Sequence, residues 1–365
     1  MGYLTDGFAR RIALAVDHTK LTGDVTNFPV CITWNGTTGN APAELYNNSA
    51  TSPLSTGADI RISTDIYGDT PCAIDLVTFT ANSTVANARV ELWFKLASIS
   101  SSSDTTFYLW WGNANATAPG VTATYGRNAV WSNSFLAVYH MNEADLVDST
   151  GNGYTATNSG TDAGTTTLGT ARTFASGDYI SIASLFGSPA QPTISALVIC
   201  TGVASYAGEV FSMGDNINLR CRNNTTDGWR SSYRYATAWR DYLLDAFNPV
   251  GAGLFAGAFT VKTTATAAQV LYKGNGAADA VAGAYTDAVA YNQGTSTYWG
   301  RHGNGGGASF YFAGTIDETR VSSVARSTDW VAAEYQSTVY HATFVTGKAN
   351  TVASNVNSII YICTA

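Results

Sequence analysis

Charge is what this chain has least of: only 12% of its 365 residues are Asp, Glu, Lys or Arg. No long Leu/Glu/Lys/Ala window with a 3.6-residue period occurs, which argues against a helical bundle or coiled coil. No apolar run approaches the roughly 20 residues that span a bilayer, so no membrane-crossing helix is expected. The net charge of −7 disfavours nonspecific nucleic-acid binding, with Arg220, Arg222, Arg230, Arg234 and Arg240 as a local exception. Histidine is rare, and His18, His140, His302 and His341 are scattered. Together with the absence of HExxH and G-x-S-x-G, this gives a zinc site or a Ser/His/Asp triad little support. The five cysteines (Cys31, Cys72, Cys200, Cys221, Cys363) are odd in number and contain no CxxC. They read as buried thiols of a chain made in a reducing cytoplasm, with a Cys200–Cys221 bridge as the alternative. The opening "MGYLTDGFARRIALAV" has no charged start, apolar core and small-residue cleavage site, so no signal peptide is expected.

What is present is apolar, aromatic and small: 45% of residues are hydrophobic and 12% aromatic, with Thr, Ser, Gly, Asn and Ala filling the rest. Such a composition favours strands and turns. Alternation starts at once in "RRIALAVDH" and "FPVCITW", then "ADIRIST", "ARVELWFKL" and "TTFYLWWGN", with Gly, Asn, Ser and Pro clusters between them. That spacing predicts an antiparallel sandwich. In "RVELWFKL", Val90, Leu92, Phe94 and Leu96 share one face, and Glu91, Trp93 and Lys95 the other. The Gly/Ala/Pro-rich "GNANATAPGVTATYGRNAV" marks a boundary near Asn128. A longer all-β series follows, through "FLAVYHM", "TISALVICTG", "INLRCR", "GLFAGAFTV" and "FAGTIDETRVSS". One helix is expected at "RSTDWVAAEYQS", where Ser327 or Thr328 caps the free N–H groups and Asp329 suits the positive end of the dipole. The expectation is therefore all-β, two antiparallel β-sandwich (jelly-roll) domains: residues 1–127, residues 128–345, and a C-terminal tail of residues 346–365 ending in the apolar patch "SIIYICTA".

Two motif series carry a resemblance. "GADIRIST", "RVELWFKL" and "FYLWWGNANATAP" resemble a β-sandwich domain family of unknown function found at the front of phage and bacterial surface proteins. "AVWSNSFLAVYHMNE…DSTGNGYTATNSG" resembles the opening of a laminin-G-like, concanavalin-A-like jelly roll. "FASGDYISI", "TISALV" and "FAGTIDETRVSSVARSTDWVAAEY" continue that pattern, and its last piece combines Gly314, Ile316, Asp317, Glu318, Arg320 and Trp330 through Tyr335. The second domain is thus expected to be concanavalin-A-like. The resemblance implies a habit of binding glycans or neighbouring proteins, and no single activity.

Three stretches are candidates for function. "DGWRSSYRYATAWRDY" supplies Trp229, Tyr233, Tyr235, Trp239 and Tyr242 as flat apolar faces beside the forked donors of Arg230, Arg234 and Arg240. Aromatic rings stack on sugar C–H faces and guanidinium binds hydroxyls or carboxylates in pairs, but the same composition marks protein–protein hot spots. Strand parity would equally place half of these rings in the core. The second stretch, "HMNEADLVDSTGNG", sets Glu143, Asp145 and Asp148 in E-x-D-x-x-D spacing. Retaining endo-β-glucanases of a related jelly roll use E-x-D-x-x-E, with one carboxylate attacking and another protonating about 5 Å away. Here the last acid is Asp, and the Gly-Asn-Gly turn from Gly151 pulls Asp148 off the strand. The alternatives are a structural strand end and a calcium site built from Asp148, Asn152 and, across the sheet, Asp317. The third stretch, "RHGNGGGASFYF", has glycines without a following helix and reads as a hairpin, not a phosphate loop.

From the sequence the protein is expected to act by binding, without catalytic residues, at a virion surface. The expected form is a tail-fibre or receptor-binding adhesin, or a capsid decoration or head-fibre protein, made in the host cytoplasm. The expected partners are other virion proteins, a host-surface glycan and further copies of the chain. No cofactor is required, and calcium is the one ion the residues suggest. The rivals are a glycan-degrading hydrolase using Glu143 and Asp145, and a bacterial cell-surface adhesin.

Overall fold

A computed structural model describes residues 2–142, 146–204, 207–222, 228–244, 247–262, 268–272, 278–282, 285, 287–303 and 310–352. The fold is all-β, built from antiparallel sheets with four short helices among the described residues. The chain opens with β1 (Arg10–Val16), β2 (Val25–Trp34), β3 (Arg61–Ser63), β4 (Ile74–Thr80), β5 (Arg89–Ile99) and β6 (Thr105–Trp111). It continues with β7 (Phe135–Tyr139), β8 (Thr157–Ser159), β9 (Asp162–Thr165), β10 (Thr170–Phe174), β11 (Tyr179–Ile182), β12 (Thr193–Val203), β13 (Ala207–Met213) and β14 (Ile217–Arg222). Next come β15 (Trp229–Tyr235), β16 (Ala238–Leu244), β17 (Leu254–Thr260), β18 (Ala268–Tyr272), β19 (Ala278–Ala282), β20 (Thr297–Trp299), β21 (Phe312–Ser322) and β22 (Val345–Val352). The helices are α1 (Ala43–Tyr46), α2 (Arg127–Val130), α3 (Thr328–Thr338) and α4 (His341–Phe344). The chain divides into two compact units, one of Met1–Asn133, Thr167–Gly169 and Ala332–Ala365, the other of Ser134–Thr166 and Thr170–Val331.

The first unit is a sandwich of a four-stranded sheet, β22-β1-β6-β3, and a three-stranded sheet, β2-β5-β4. Val90, Leu92, Phe94 and Leu96 are buried together, and Phe94 meets Phe107 of β6 with ring centroids 4.7 Å apart. The opposite face of β5 is buried too. Trp93 packs on Trp131, which follows α2, and donates to Glu91 at 3.0 Å, while the Trp131 indole donates to Asp75 at 2.8 Å. β22 returns the C-terminal chain to the edge of β1, pairing Val345 with Val16 and Gly347 with Leu14. Residues 346–352 thus belong to a sheet, and "SIIYICTA" lies outside the described residues. Ser327 caps α3 by accepting from the Trp330 N–H at 3.1 Å.

The second unit packs the sheet β19-β18-β17-β12-β21-β10-β9, with β7 also paired to β21, against a seven-stranded sheet, β16-β15-β14-β13-β20-β11-β8. Alternate residues of both sheets point inward, as a two-sheet core requires. Val198, Phe255, Phe259 and Ile316 come from one sheet, and Phe211, Ile217, Leu219, Trp229, Tyr233 and Trp299 from the other. Trp299 sits between Tyr139 and Phe211, with edge contacts at 5.3 and 5.6 Å. Cys31, Cys72, Cys200 and Cys221 are buried free thiols, so the Cys200–Cys221 bridge is not formed. Cys363 lies outside the described residues.

Candidate functional site

The Trp/Tyr/Arg stretch forms the hairpin β15–β16 at one end of the seven-stranded sheet, in the register Arg230↔Leu243, Ser232↔Asp241 and Arg234↔Trp239. Period-two alternation then divides it. Trp229, Tyr233 and Tyr242 point inward and are fully buried against Phe255 and Phe259. These rings therefore belong to the core, which corrects the expectation that Trp229 and Tyr233 meet a ligand. Arg230, Arg234 and Trp239 lie on the outer face and are partly exposed, while Tyr235 at the tip is 41% exposed. Ala236 turns the corner at φ +50°, a left-handed conformation that a side chain disfavours.

Each arginine of the hairpin is held by a carboxylate, within the hairpin for Arg230 and from outside it for Arg234 and Arg240. Arg230 takes Asp241 with Nε at 3.1 Å and Nη2 at 2.5 Å. Arg234 pairs with Asp215 and also donates to the Asp215 carbonyl at 2.8 Å. Arg240 pairs with Asp287, with Nε at 2.6 Å. Arg220 of β14 pairs with the fully buried Glu209 of β13. His302 joins two of these pairs, with Nδ1 2.9 Å from Glu209 and Nε2 3.1 Å from Asp215. Burial alone would lower His302, but its hydrogen bonds to Asp215 and Glu209, and their charges, raise it to about 9. It is an imidazolium at neutral pH, donating from both nitrogens. Burial opposes ionisation of Glu209 and Asp215, yet His302 and the paired guanidiniums hold both below the ordinary carboxylate range. These acids stay ionised and are unsuited to donate a proton to a leaving group.

The guanidiniums also fix rings at the surface. Arg240 lies 4.9 Å from the Tyr235 centroid and 4.7 Å from that of Tyr285, which is 38% exposed. Arg234 lies 4.5 Å from the Trp239 centroid. The segment carrying Tyr285 and Asp287 is tied back by the Ala290 N–H to the Arg234 carbonyl at 2.8 Å. The buried Asn216 amide also accepts from the Asn292 and Gln293 N–H groups at 3.2 and 3.0 Å. Tyr235 and Tyr285 are thus exposed rings, and Trp239 a partly exposed one, whose neighbours leave them little freedom and which can stack on an apolar or sugar face at low entropic cost. Glu209, Asp215, Asp287, Tyr285 and His302 were not singled out from the sequence. They are distant from the hairpin along the chain, and no spacing rule links them to it.

Farther along the same outer face, Tyr298 of β20 pairs with Ser181 of β11, and Tyr179 with Ser159 of β8. The Arg301 guanidinium lies over both tyrosine rings, 4.7 Å from each centroid.

The candidate calcium residues are otherwise engaged. Asp148 accepts from the Val138 N–H at 3.2 Å and from the Thr150 N–H and hydroxyl at 3.0 and 2.8 Å. Asn152 donates to the Leu136 carbonyl at 2.9 Å. Both pin the turn after β7. Asp317 accepts from Thr166 and, at 2.8 Å, from the Glu318 N–H, and burial and the Glu318 charge raise its carboxyl well above the usual range. Because Val138 pairs with Arg320, Asp317 lies three residues along β21 from the backbone that Asp148 binds, about 10 Å at strand spacing. His140 follows β7 and is buried. His140 approaches Glu318 at 2.6 Å, and Arg320 donates to the other Glu318 oxygen at 2.7 Å. Burial opposes that charge, but His140 and Arg320 hold Glu318 down at about 2. Glu143 and Asp145 lie outside the described residues. In the first unit, Asp17, His18 and Asp104 bring ligand atoms within 4.8 Å of one another at the surface, where His18 and Asp104 form a 2.8 Å pair.

No family model matches the chain, and no curated protein does. Among solved structures, the chain is similar to domain 4 of AbnA, a GH43 extracellular arabinanase from Geobacillus stearothermophilus, in complex with arabinotriose. The TM-score is 0.42 and the identity 19%, over 55% of this chain and 97% of that one. It is also similar to the receptor binding domain of botulinum neurotoxin mosaic serotype C/D, at TM-score 0.42 and 14% identity over 57% of this chain and 52% of that one. The botulinum neurotoxin serotype D ligand binding domain in complex with N-acetylneuraminic acid gives TM-score 0.41 and 15% identity, over 59% and 53%. The chain spans about half the length of the two toxin domains.

Proposed function

We propose that the protein holds a saccharide on the hairpin tip of its second unit and leaves it chemically unchanged. The observation that carries this reading is the exposed pair Tyr235 and Tyr285 around Arg240, with the partly exposed Trp239 held by Arg234. Asp215 and Asp287 neutralise those arginines in turn. Stacking on ring faces, with side-chain hydrogen bonds at the margin, suits a sugar's C–H face and hydroxyls. The finer reading, a virion surface protein anchored by its first domain or C-terminal tail with other virion proteins or further copies as partners, is supported by the sequence resemblance alone. Immunogold labelling of intact particles tests it.

Binding is tested on an array of immobilised neutral and acidic oligosaccharides. The wild-type chain should give discrete positives that Tyr235→Ala and Trp239→Ala remove without lowering the melting temperature. Retention of every positive by both variants contradicts the placement. The catalytic rival is tested by incubating the positives with the protein and assaying new reducing ends. Release that disappears in Glu143→Gln overturns the reading of a binding protein.

A further inference from the structure

Arg301 differs from the arginines around it. Arg220, Arg230, Arg234 and Arg240 each face a carboxylate. Arg301 makes one hydrogen bond, Nε to the His302 carbonyl at 3.3 Å, and otherwise lies over Tyr179 and Tyr298. No carboxylate pairs with it among the described residues. Its two terminal nitrogens, four N–H donors in one plane, are therefore uncommitted while the group is held in place. The tyrosines are themselves fixed by an edge contact, centroids 5.9 Å apart.

The surroundings are those of a ligand site. Ser181 lies directly opposite Tyr298 on one side and Thr157 on the other, and Ser159 lies opposite Tyr179. These three side chains share the outer face with the guanidinium, and their hydroxyls have no partner among the described residues. β8 ends the sheet, so this corner is open on one side. Directly opposed side chains stand about 5 Å apart, so the three hydroxyls and the guanidinium are within reach of one sugar ring. A chain of net charge −7 repels anions in general, so an acidic ligand needs a local cation of this kind.

Resting on the saccharide-binding reading above, we infer that Tyr179, Tyr298 and Arg301, with Ser159 and Ser181, form a second subsite that takes a carboxylate-bearing sugar, a hexuronate. The planar carboxylate accepts two parallel N–H bonds from the Arg301 fork, and the ring hydroxyls meet the serines. The site is distinct from the hairpin tip. It lies on β20 and β11 while the tip belongs to β16, four strand spacings from β20 in the sheet order, or about 19 Å.

The test is a titration of the intact chain, followed by amide chemical shifts, with sodium glucuronate, methyl glucoside and sodium sulfate. Glucuronate should bind, shift residues near 179–181 and 298–302, and weaken as sodium chloride is raised. Arg301→Gln should weaken it about tenfold or more, and Arg301→Lys, which keeps the charge and loses the fork, several-fold. Tyr235→Ala should leave glucuronate affinity unchanged. Methyl glucoside binding as tightly as glucuronate, Arg301→Gln without effect in a variant that melts like wild type, or sulfate competing as tightly as the uronate would each overturn the inference. Array positives lost in Tyr235→Ala together with no response to glucuronate sink this subsite alone. An array without positives, with glucuronate bound at Arg301, sinks the hairpin placement alone.

Discussion

At the scale of single residues, the candidate binding face is governed by pairing and by one strained corner. Ala236 at φ +50° turns the β15–β16 hairpin, where glycine has no Cβ to oppose the conformation. Ala236→Gly should therefore raise the second unit's stability by about 1 kcal/mol, read as a higher denaturant midpoint at unchanged slope; a lower midpoint contradicts the strain argument. His302 is raised to about 9 by Glu209 and Asp215. A raised histidine contributes stability that is complete below its unfolded value near 6.5 and is lost as pH climbs through 9. Urea titrations between pH 6 and 10 should show stability falling by on the order of 1–2 kcal/mol, after allowance for solvent screening. His302→Gln should flatten that limb. Equal alkaline loss in the variant would remove the histidine from the account. On the acid side Glu209 and Asp215, both held low, contribute stability that is present above their unfolded values and lost as pH falls through the folded ones.

At the scale of elements, the middle of the seven-stranded sheet's outer face is polar yet buried. Glu209, Ser212, Asn218 and Ser232 are almost fully buried there, and the Arg220–Glu209–His302–Asp215–Arg234 chain ties β13, β14, β15 and the segment after β20 together. Glu209→Gln leaves Arg220 and His302 without their shared charge and should cost roughly 3 kcal/mol of unfolding free energy; a loss below about 1 kcal/mol means the network is incidental. The strands of this sheet were legible in the sequence because period-two alternation and turn residues mark them locally. The inward half of the Trp/Tyr/Arg hairpin was legible only as a parity choice, and register settles it: Trp229 and Tyr233 go to the core. The carboxylates that take Arg220, Arg234 and Arg240 were not legible. Glu209, Asp215 and Asp287 reach them by strand pairing and loop return, which no local pattern encodes. The double burial of β5 escaped the alternation argument for the same reason, since Trp131 and α2 cover Trp93 from a distant stretch.

At the scale of the whole molecule, a chain of net charge −7 carries, among the described residues, the ion-paired Arg220, Arg230, Arg234 and Arg240 on one sheet and Arg301 over Tyr179 and Tyr298 beside it. The two subsites should respond differently to salt. Stacking at Tyr235, Trp239 and Tyr285 with neutralised guanidiniums should be nearly independent of ionic strength, whereas binding at Arg301 should weaken with it. Affinities for a neutral array-positive oligosaccharide at 20 and 500 mM sodium chloride should agree within about twofold; a tenfold loss would mean the hairpin arginines face the ligand as free charges.

The central claim is that the hairpin tip grips a sugar without altering it. Saturation-transfer NMR of the intact chain with the strongest neutral array-positive oligosaccharide tests both halves in one sample. The account predicts transfer to the sugar's ring protons, abolished in a Tyr235→Ala/Tyr285→Ala double variant, with anomeric signals unchanged after a day. Transfer that survives in the double variant, or growth of new reducing-end anomeric signals, contradicts it.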